Sequence, residues 1–282
     1  MSRRVTYFNS SFASFDPDAL EFITNWEANT SAVMQETQRL AVIDWYRGMK
    51  GEGTPNGSNL LTIAKTNGAR IFILIPIDDI TSNASAYELD AVSNGVIKGS
   101  YNNFTSGDFT ALGVVGGPTK SFDSGVASNS YSADNFGYAF YSRTNSRANT
   151  HADAGSGSDG FVQTRTASNT FNGRVNNSVD IGLISNMDSR GLFQLQRGLF
   201  VGDKVKNGVV LVSDIRPGST NTKIYTFHNY LTLYSPRQLC FYAVGLQYMS
   251  TNELTDFYTI NQRLQSTVIT GGRQIGTAIA PI

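Results

Sequence analysis

One cysteine in 282 residues excludes an internal disulfide, and two histidines leave little for a histidine metal centre. Cys240 sits in the apolar run "QLCFYAV", where a small buried hydrophobe is expected. Charge is scarce at 16 %, and the 22 basic and 22 acidic residues cancel. No block of five or six like charges occurs, so a broad electrostatic nucleic-acid surface is not expected. The most apolar run, "IFILIPI" from Ile71 to Ile77, is too short to span a bilayer, so no membrane insertion is expected. Arg3-Arg4 has the look of an export signal, but the polar "NSSFASFDPD" that follows is not an apolar core, and the expectation is a soluble protein made in a cytoplasm.

Enzyme motifs are also missing. His151 and His228 lie far apart, with no carboxylate or cysteine cluster at metal spacing. Gly-x-Ser-x-Gly is absent, and "GVVGGP" lacks the Lys-Ser/Thr end of a phosphate loop. A strand glycosidase needs two positioned carboxylates. Glu88 and Asp90 in "YELDAV" are the best pair available, since alternate residues share a strand face.

What is plentiful is Gly, Asn, Ser, Thr and aromatics, the last at 11 %. That mixture suits short strands joined by turns. The helical part comes first. Asp16-Pro17-Asp18 is a start signal, with Asp capping and Pro in the first turn. A second helix, capped near Asn29-Thr30-Ser31, is expected to bury Val33, Met34, Thr37, Leu40, Ala41 and Trp45 on one face, with Asp44 out of place among them. Residues 1–14 then form an arm, 15–48 a helical lead-in and 49–68 a linker loop. From about Ala69 the period becomes two. Strands are expected in "ARIFILIPI", "GYAFYSRT", "GFVQTRT", "GLFQLQR", "GLFVGDKV", "TKIYTFHNYLTLY" and "QLCFYAV". Asn207-Gly208 predicts a tight type I′ hairpin. Near the end, Ser250 and Glu253 fit a capping box before Leu254, Phe257, Ile260 or Asn261, and Leu264 at helical spacing. The fold expectation is mainly β: an antiparallel β-sandwich over residues 69–268, with a short helix closing it and a tail over 269–282.

The order of these features resembles a known group. The ending "FYAVGLQYMSTNELTDFYTINQRLQ" is similar to the closing element of concanavalin A-like, laminin-G-like jelly rolls. The succession "AVIDWYRGMKGEGT", "IFILIPI", "GSYNNFTSG", "LGVVGGPTKSFDSGV", "YSRTNS", "GRVNNS", "GLFQLQR" and "GGRQIG" resembles tailed-bacteriophage virion structural proteins that carry such a domain. The resemblance covers roughly residues 30 to 276. It implies a non-enzymatic head- or tail-attached appendage, located in the virion and assembled in the host cytoplasm. Its implied partners are other virion subunits, further copies of itself and a host cell-surface glycan. Residues 147–160 are expected to project from the sandwich rim as a contact surface. The alternatives are a glycan-active enzyme and a calcium-assisted carbohydrate-binding module on the same fold.

Site candidates cluster around "DNFGYAFYSRTNS", residues 134–146. Alternation puts Phe136, Tyr138 and Phe140 on one buried sandwich face and Tyr141 and Arg143 on the other. An exposed tyrosine beside Arg and Asn would stack on a sugar and hydrogen-bond its hydroxyls, which makes Tyr141, Arg143, Asn145 and His151 the ligand-contact candidates. In "HADAGSGSDG", Asp153 and Asp159 are the calcium candidates; no other cofactor is expected.

Overall fold

The computed structural model describes residues 16–76, 83–125, 131–132, 134–147, 153–155, 160–175, 180–215 and 238–268. The expected arm, the expected tail and the strand "TKIYTFHNYLTLY" lie outside the described residues, as do His151, His228 and Asp159.

Helix α1 spans Pro17–Thr30, and Asp16 accepts the Ala19 N–H at 3.2 Å. It ends at Ser31, whose φ of 57° is left-handed. Helix α2 spans Glu36–Met49 and starts at Gln35, whose N–H donates to the Gln38 side chain at 3.2 Å. The cap expected at Asn29–Ser31 therefore ends α1 instead of starting α2. The buried face of α2 also differs from the expected one. Val33 and Leu40 are exposed, while Ala41, Val42, Trp45, Tyr46 and Met49 are buried. The stripe is rotated, and Asp44 moves to the surface, where it pairs with Arg263 at 3.3 Å. Within the stretch expected as linker, Leu60–Asn67 form α3, capped by Asn59 and stopped by Gly68 at φ 66°.

The strands are β1 (Arg70–Ile73), β2 (Ser100–Asn102), β3 (Phe109–Thr110), β4 (Gly113–Val115), β5 (Ser121–Asp123), β6 (Phe136–Ser142), β7 (Ala154–Gly155), β8 (Phe161–Gln163), β9 (Thr170–Arg174), β10 (Ile184–Ser185), β11 (Gly191–Arg197), β12 (Val201–Lys206), β13 (Val209–Ile215) and β14 (Gln238–Leu246). Short α4 (Asn83–Tyr87) follows β1, and α5 (Thr251–Val268) follows β14. An eight-stranded antiparallel sheet runs β13-β12-β11-β6-β14-β4-β3, with β1 also paired to β14. A four-stranded sheet, β10-β9-β8-β7, and a two-stranded one, β2-β5, complete the β structure among the described residues. The β12–β13 turn is the expected type I′, with Asn207 at φ 52° and Gly208 at φ 78°.

The main sheet is the middle layer of a sandwich. On one face Phe140 stacks on Phe193, and Phe171 of the four-stranded sheet meets Phe193 edge-on at 5.3 Å. On the other, Phe241 meets Phe257 of α5 at 5.9 Å. Ser250 and Glu253 form the expected capping box of α5, with the Ser250 N–H donating to Glu253 at 2.7 Å. The apolar face of α5 buries Leu254, Phe257, Ile260 and Leu264, gross stabilisation of about 1.5–3 kcal/mol each. Trp45 of α2 donates to Asn261 of α5 at 3.2 Å, which joins the lead-in to the sheet. All seven residues of β6 are buried, because α5 covers the face that alternation alone would leave to solvent.

The interior also holds charge. Lys204 crosses between the sheets and donates to the carbonyls of Phe171 (2.6 Å) and Gly182 (2.8 Å). Lys206 donates to Asn186 Oδ1 (3.1 Å) and to the Asp188 carbonyl (2.7 Å). Burial pushes the Lys206 amine below its ordinary range, and the Arg190 charge adds to that against the opposing Asp188. These two lysines fasten the four-stranded sheet to the main one.

Candidate functional site

One end of the main sheet gathers polar side chains from three chain segments. Beyond Ser142, the residues Arg143 to Ser146 cross the sheet end. The Arg143 N–H donates to the Gln238 carbonyl at 2.9 Å, and the Gln238 N–H to Thr144 Oγ1 at 3.0 Å. Asn145 is exposed. Its Oδ1 accepts from Arg165 Nη1 at 2.6 Å and from the Ser189 N–H at 3.1 Å. Arg165 Nε donates to Asn169 Oδ1 at 2.9 Å. Ser189 is buried and closes the loop from below, its hydroxyl donating to the Thr144 carbonyl at 2.9 Å. Beside it, exposed Arg190 grips Asp188 with two bonds of 2.9 and 2.8 Å. Burial pushes the Asp188 carboxyl up, but the bonds and charge of Arg190 outweigh it and hold it below the usual range. The rim is thus a set of pre-paired planar groups, two amides and two guanidiniums, beside hydroxyls and one ionised carboxylate.

The candidates named from sequence separate in space. Tyr141 is 1 % exposed, and its hydroxyl hydrogen-bonds to Gln262 of α5 at 3.1 Å. Burial pushes its phenol well above the ordinary range, with neighbouring Cys240 adding to the shift. The expectation of an exposed tyrosine is corrected: α5 occupies the space a sugar ring would need. Half-buried Arg143 lies 5.7 Å over the Tyr141 ring and donates to Gln265 of α5 at 3.3 Å, so it too faces the helix. Asn145 is the one of these three at the surface. Asp153 is buried, and its Oδ2 accepts from the Thr164 N–H (2.8 Å) and hydroxyl (2.7 Å), which ties β7 to β8. Among the described residues, no group of three His, Cys, Asp or Glu is arranged to hold a metal ion.

The pair Glu88 and Asp90 is not a working pair either. Asp90 is wholly buried and accepts from the N–H groups of Ile71, Val92 and Ser93, which makes it a turn-holding carboxylate. Sequence reading missed Arg165, Asp188, Ser189 and Arg190. Their local signal is faint: "RTASN" and "NMDSRG" are turn-rich stretches with an arginine, unremarkable until the sheet end brings them beside Asn145.

No protein-family model matches the chain. No curated protein matches its sequence. Solved structures similar in fold include a mutant sialidase of Trypanosoma rangeli displaying trans-sialidase activity, at 9 % identity and a TM-score of 0.46, over 80 % of this chain and 39 % of that one. Another is domain 4 of AbnA, a GH43 extracellular arabinanase of Geobacillus stearothermophilus solved with arabinotriose, at 8 % identity and a TM-score of 0.41, over 67 % of this chain and 97 % of that one. The chain therefore spans well under half the length of the sialidase it resembles. The protein is a mainly β antiparallel sandwich with a helical lead-in and a helix near the C-terminus. Nothing in these comparisons shows a phage origin.

The expectation of a non-enzymatic protein does not stand: sialidases are among the structures similar in fold, and that likeness assigns no activity to this chain. A fold of this kind hosts unrelated functions and does not by itself decide whether a chain is catalytic.

Proposed function

We propose that the chain is a carbohydrate-contacting sandwich module and that its contact surface includes the rim around Asn145. The observation that supports this is the convergence of Asn145, Arg165 and the Asp188–Arg190 pair, from three segments, at one solvent-facing sheet end. Sugar hydroxyls both donate and accept, and fixed amides, guanidiniums and a carboxylate complement them in pairs. A glycan array probed with the full chain tests the reading, with hydrolysis of each bound glycan followed in parallel. Asn145→Ala should weaken binding about tenfold, a loss of about 1.4 kcal/mol, while the chain stays cooperatively folded, with a melting point lowered only by the lost Arg165 and Ser189 bonds. An array without a bound glycan, or equal binding by Asn145→Ala, overturns it. The motif order that resembles phage virion proteins supports one setting for such a module, the surface of a virion; immunoelectron microscopy against this chain tests that setting.

A further inference from the structure

We propose that the binding surface is elongated and takes an oligosaccharide, with a second contact point at a ledge around Phe104. This rests on the carbohydrate reading of the rim and extends it. The ledge is formed by the chain before β3 and after β4. Phe104 is half-buried, 5.2 Å from the Tyr101 ring and 5.8 Å from Phe109. Behind it the aromatic stack continues from Tyr101 to Phe122 at 4.5 Å and from Phe122 to Tyr242 at 5.4 Å. The Phe104 ring is thus the outer end of a rigid aromatic column that runs down to the main sheet.

Polar groups frame this ring. The Lys120 amine sits 5.7 Å from its centre and donates to Asp108 Oδ1 at 2.5 Å. Asp108 Oδ2 accepts from the Thr105 N–H (2.8 Å) and hydroxyl (2.9 Å), which fixes the loop. Exposed Asn103 is held in the left-handed region at φ 62°, with its amide donating to the Thr119 carbonyl at 2.9 Å; Asn102 beside it is exposed. A ring edge with a carboxylate-paired ammonium and two asparagines suits an uncharged sugar ring, apolar on its face and polar at its rim.

The ledge and the rim lie at the same end of the main sheet. Val115 at the end of β4 pairs with Gln238 at the start of β14. Leu239 pairs with Ser142 at the end of β6, and Ser142 pairs with Gly191 at the start of β11. Phe109, which starts β3, pairs with Val114. From β3 to β11 is four strand spacings, roughly 19 Å at about 4.8 Å each, more than a single sugar ring covers. The ground between them is polar: Gln238 Nε2 donates to Thr110 Oγ1 at 2.7 Å, and Thr144 follows.

The test uses the full chain and length series from one to six units of β-1,4-glucose, β-1,4-xylose, α-1,5-arabinose and β-1,4-galactose, measured by calorimetry. Affinity should rise with length in one series and level off once both points are reached. Phe104→Ala should weaken the longest member about three- to tenfold, the worth of one aromatic contact, and leave the shortest binder unchanged. Phe104→Leu, which keeps the apolar packing, should show the same loss and so separates stacking from folding. Asn145→Ala should weaken all lengths. Affinity independent of length, or long-chain binding unchanged in both Phe104 variants, overturns the elongated surface while leaving the rim intact. Absence of binding across all four series overturns both.

Discussion

Removing the Asp90 carboxylate should cost more stability than removing any surface charge. Asp90 is fully buried, and its two oxygens accept from Ile71 N–H (2.8 Å), Val92 N–H (3.1 Å), Ser93 N–H (3.1 Å) and Arg70 Nη1 (3.3 Å). Asp90→Ala leaves three backbone donors and one guanidinium group without that acceptor. Each buried donor left unsatisfied costs about 1–3 kcal/mol. Water reaching the new cavity recovers part of this, so about 3–5 kcal/mol is expected. That is a third or more of the stability of many domains, which is about 5–15 kcal/mol. Burial pushes the Asp90 carboxyl up against the pull of its backbone partners. Asp90→Asn keeps one acceptor oxygen but turns an amide NH2 toward two of the donors, so it should lose about 2–3 kcal/mol, less than Asp90→Ala. Urea unfolding followed by the fluorescence of Trp26 and Trp45, both buried in the lead-in, reads the difference. If Asp90→Ala loses less than about 1 kcal/mol, the turn-holding role is wrong.

Acid should weaken the lead-in through Asp18. Burial raises its carboxyl, but Lys50 at 2.6 Å, Lys65 at 2.7 Å and Asn94 outweigh that and bring it from 3.8 to about 2. A lowered carboxylate stabilises above its ordinary value and loses that contribution as pH falls toward the folded value. Discounted for solvent screening, the loss between pH 4 and 2 is about 1 kcal/mol, and it should vanish in Asp18→Asn; an unchanged pH slope in that variant refutes the assignment. Gly113 should tolerate no side chain. At φ 125° a Cβ would stand 2.2 Å from the Leu239 carbonyl oxygen, so Gly113→Ala should lose more than about 2 kcal/mol in thermal unfolding. A melting point unchanged from the parent would refute it.

The parts legible in the sequence are those set by neighbours along the chain. Asp16-Pro17 starts a helix because a side-chain oxygen and a fixed φ act within one turn. Asn207-Gly208 makes its hairpin because two adjacent residues accept positive φ. Ser250 and Glu253 cap α5 because they are three residues apart. The change of period near residue 69 also gives the mainly β class. Tertiary structure decided the rest. The face of α2 that is buried depends on α5, which packs against it from more than 200 residues away, through the bond between Trp45 and Asn261. Tyr141 reads as an outward aromatic by alternation, yet the same helix covers that side of β6. The rim is the clearest case. Asn145, Arg165 and Ser189 carry no mutual signal in the sequence, because their spacing is set by strand pairing and not by any local period. Local chemistry thus determined where elements begin and end, while the packing of α5 and the pairing of β6 with β11 determined which side chains meet solvent together.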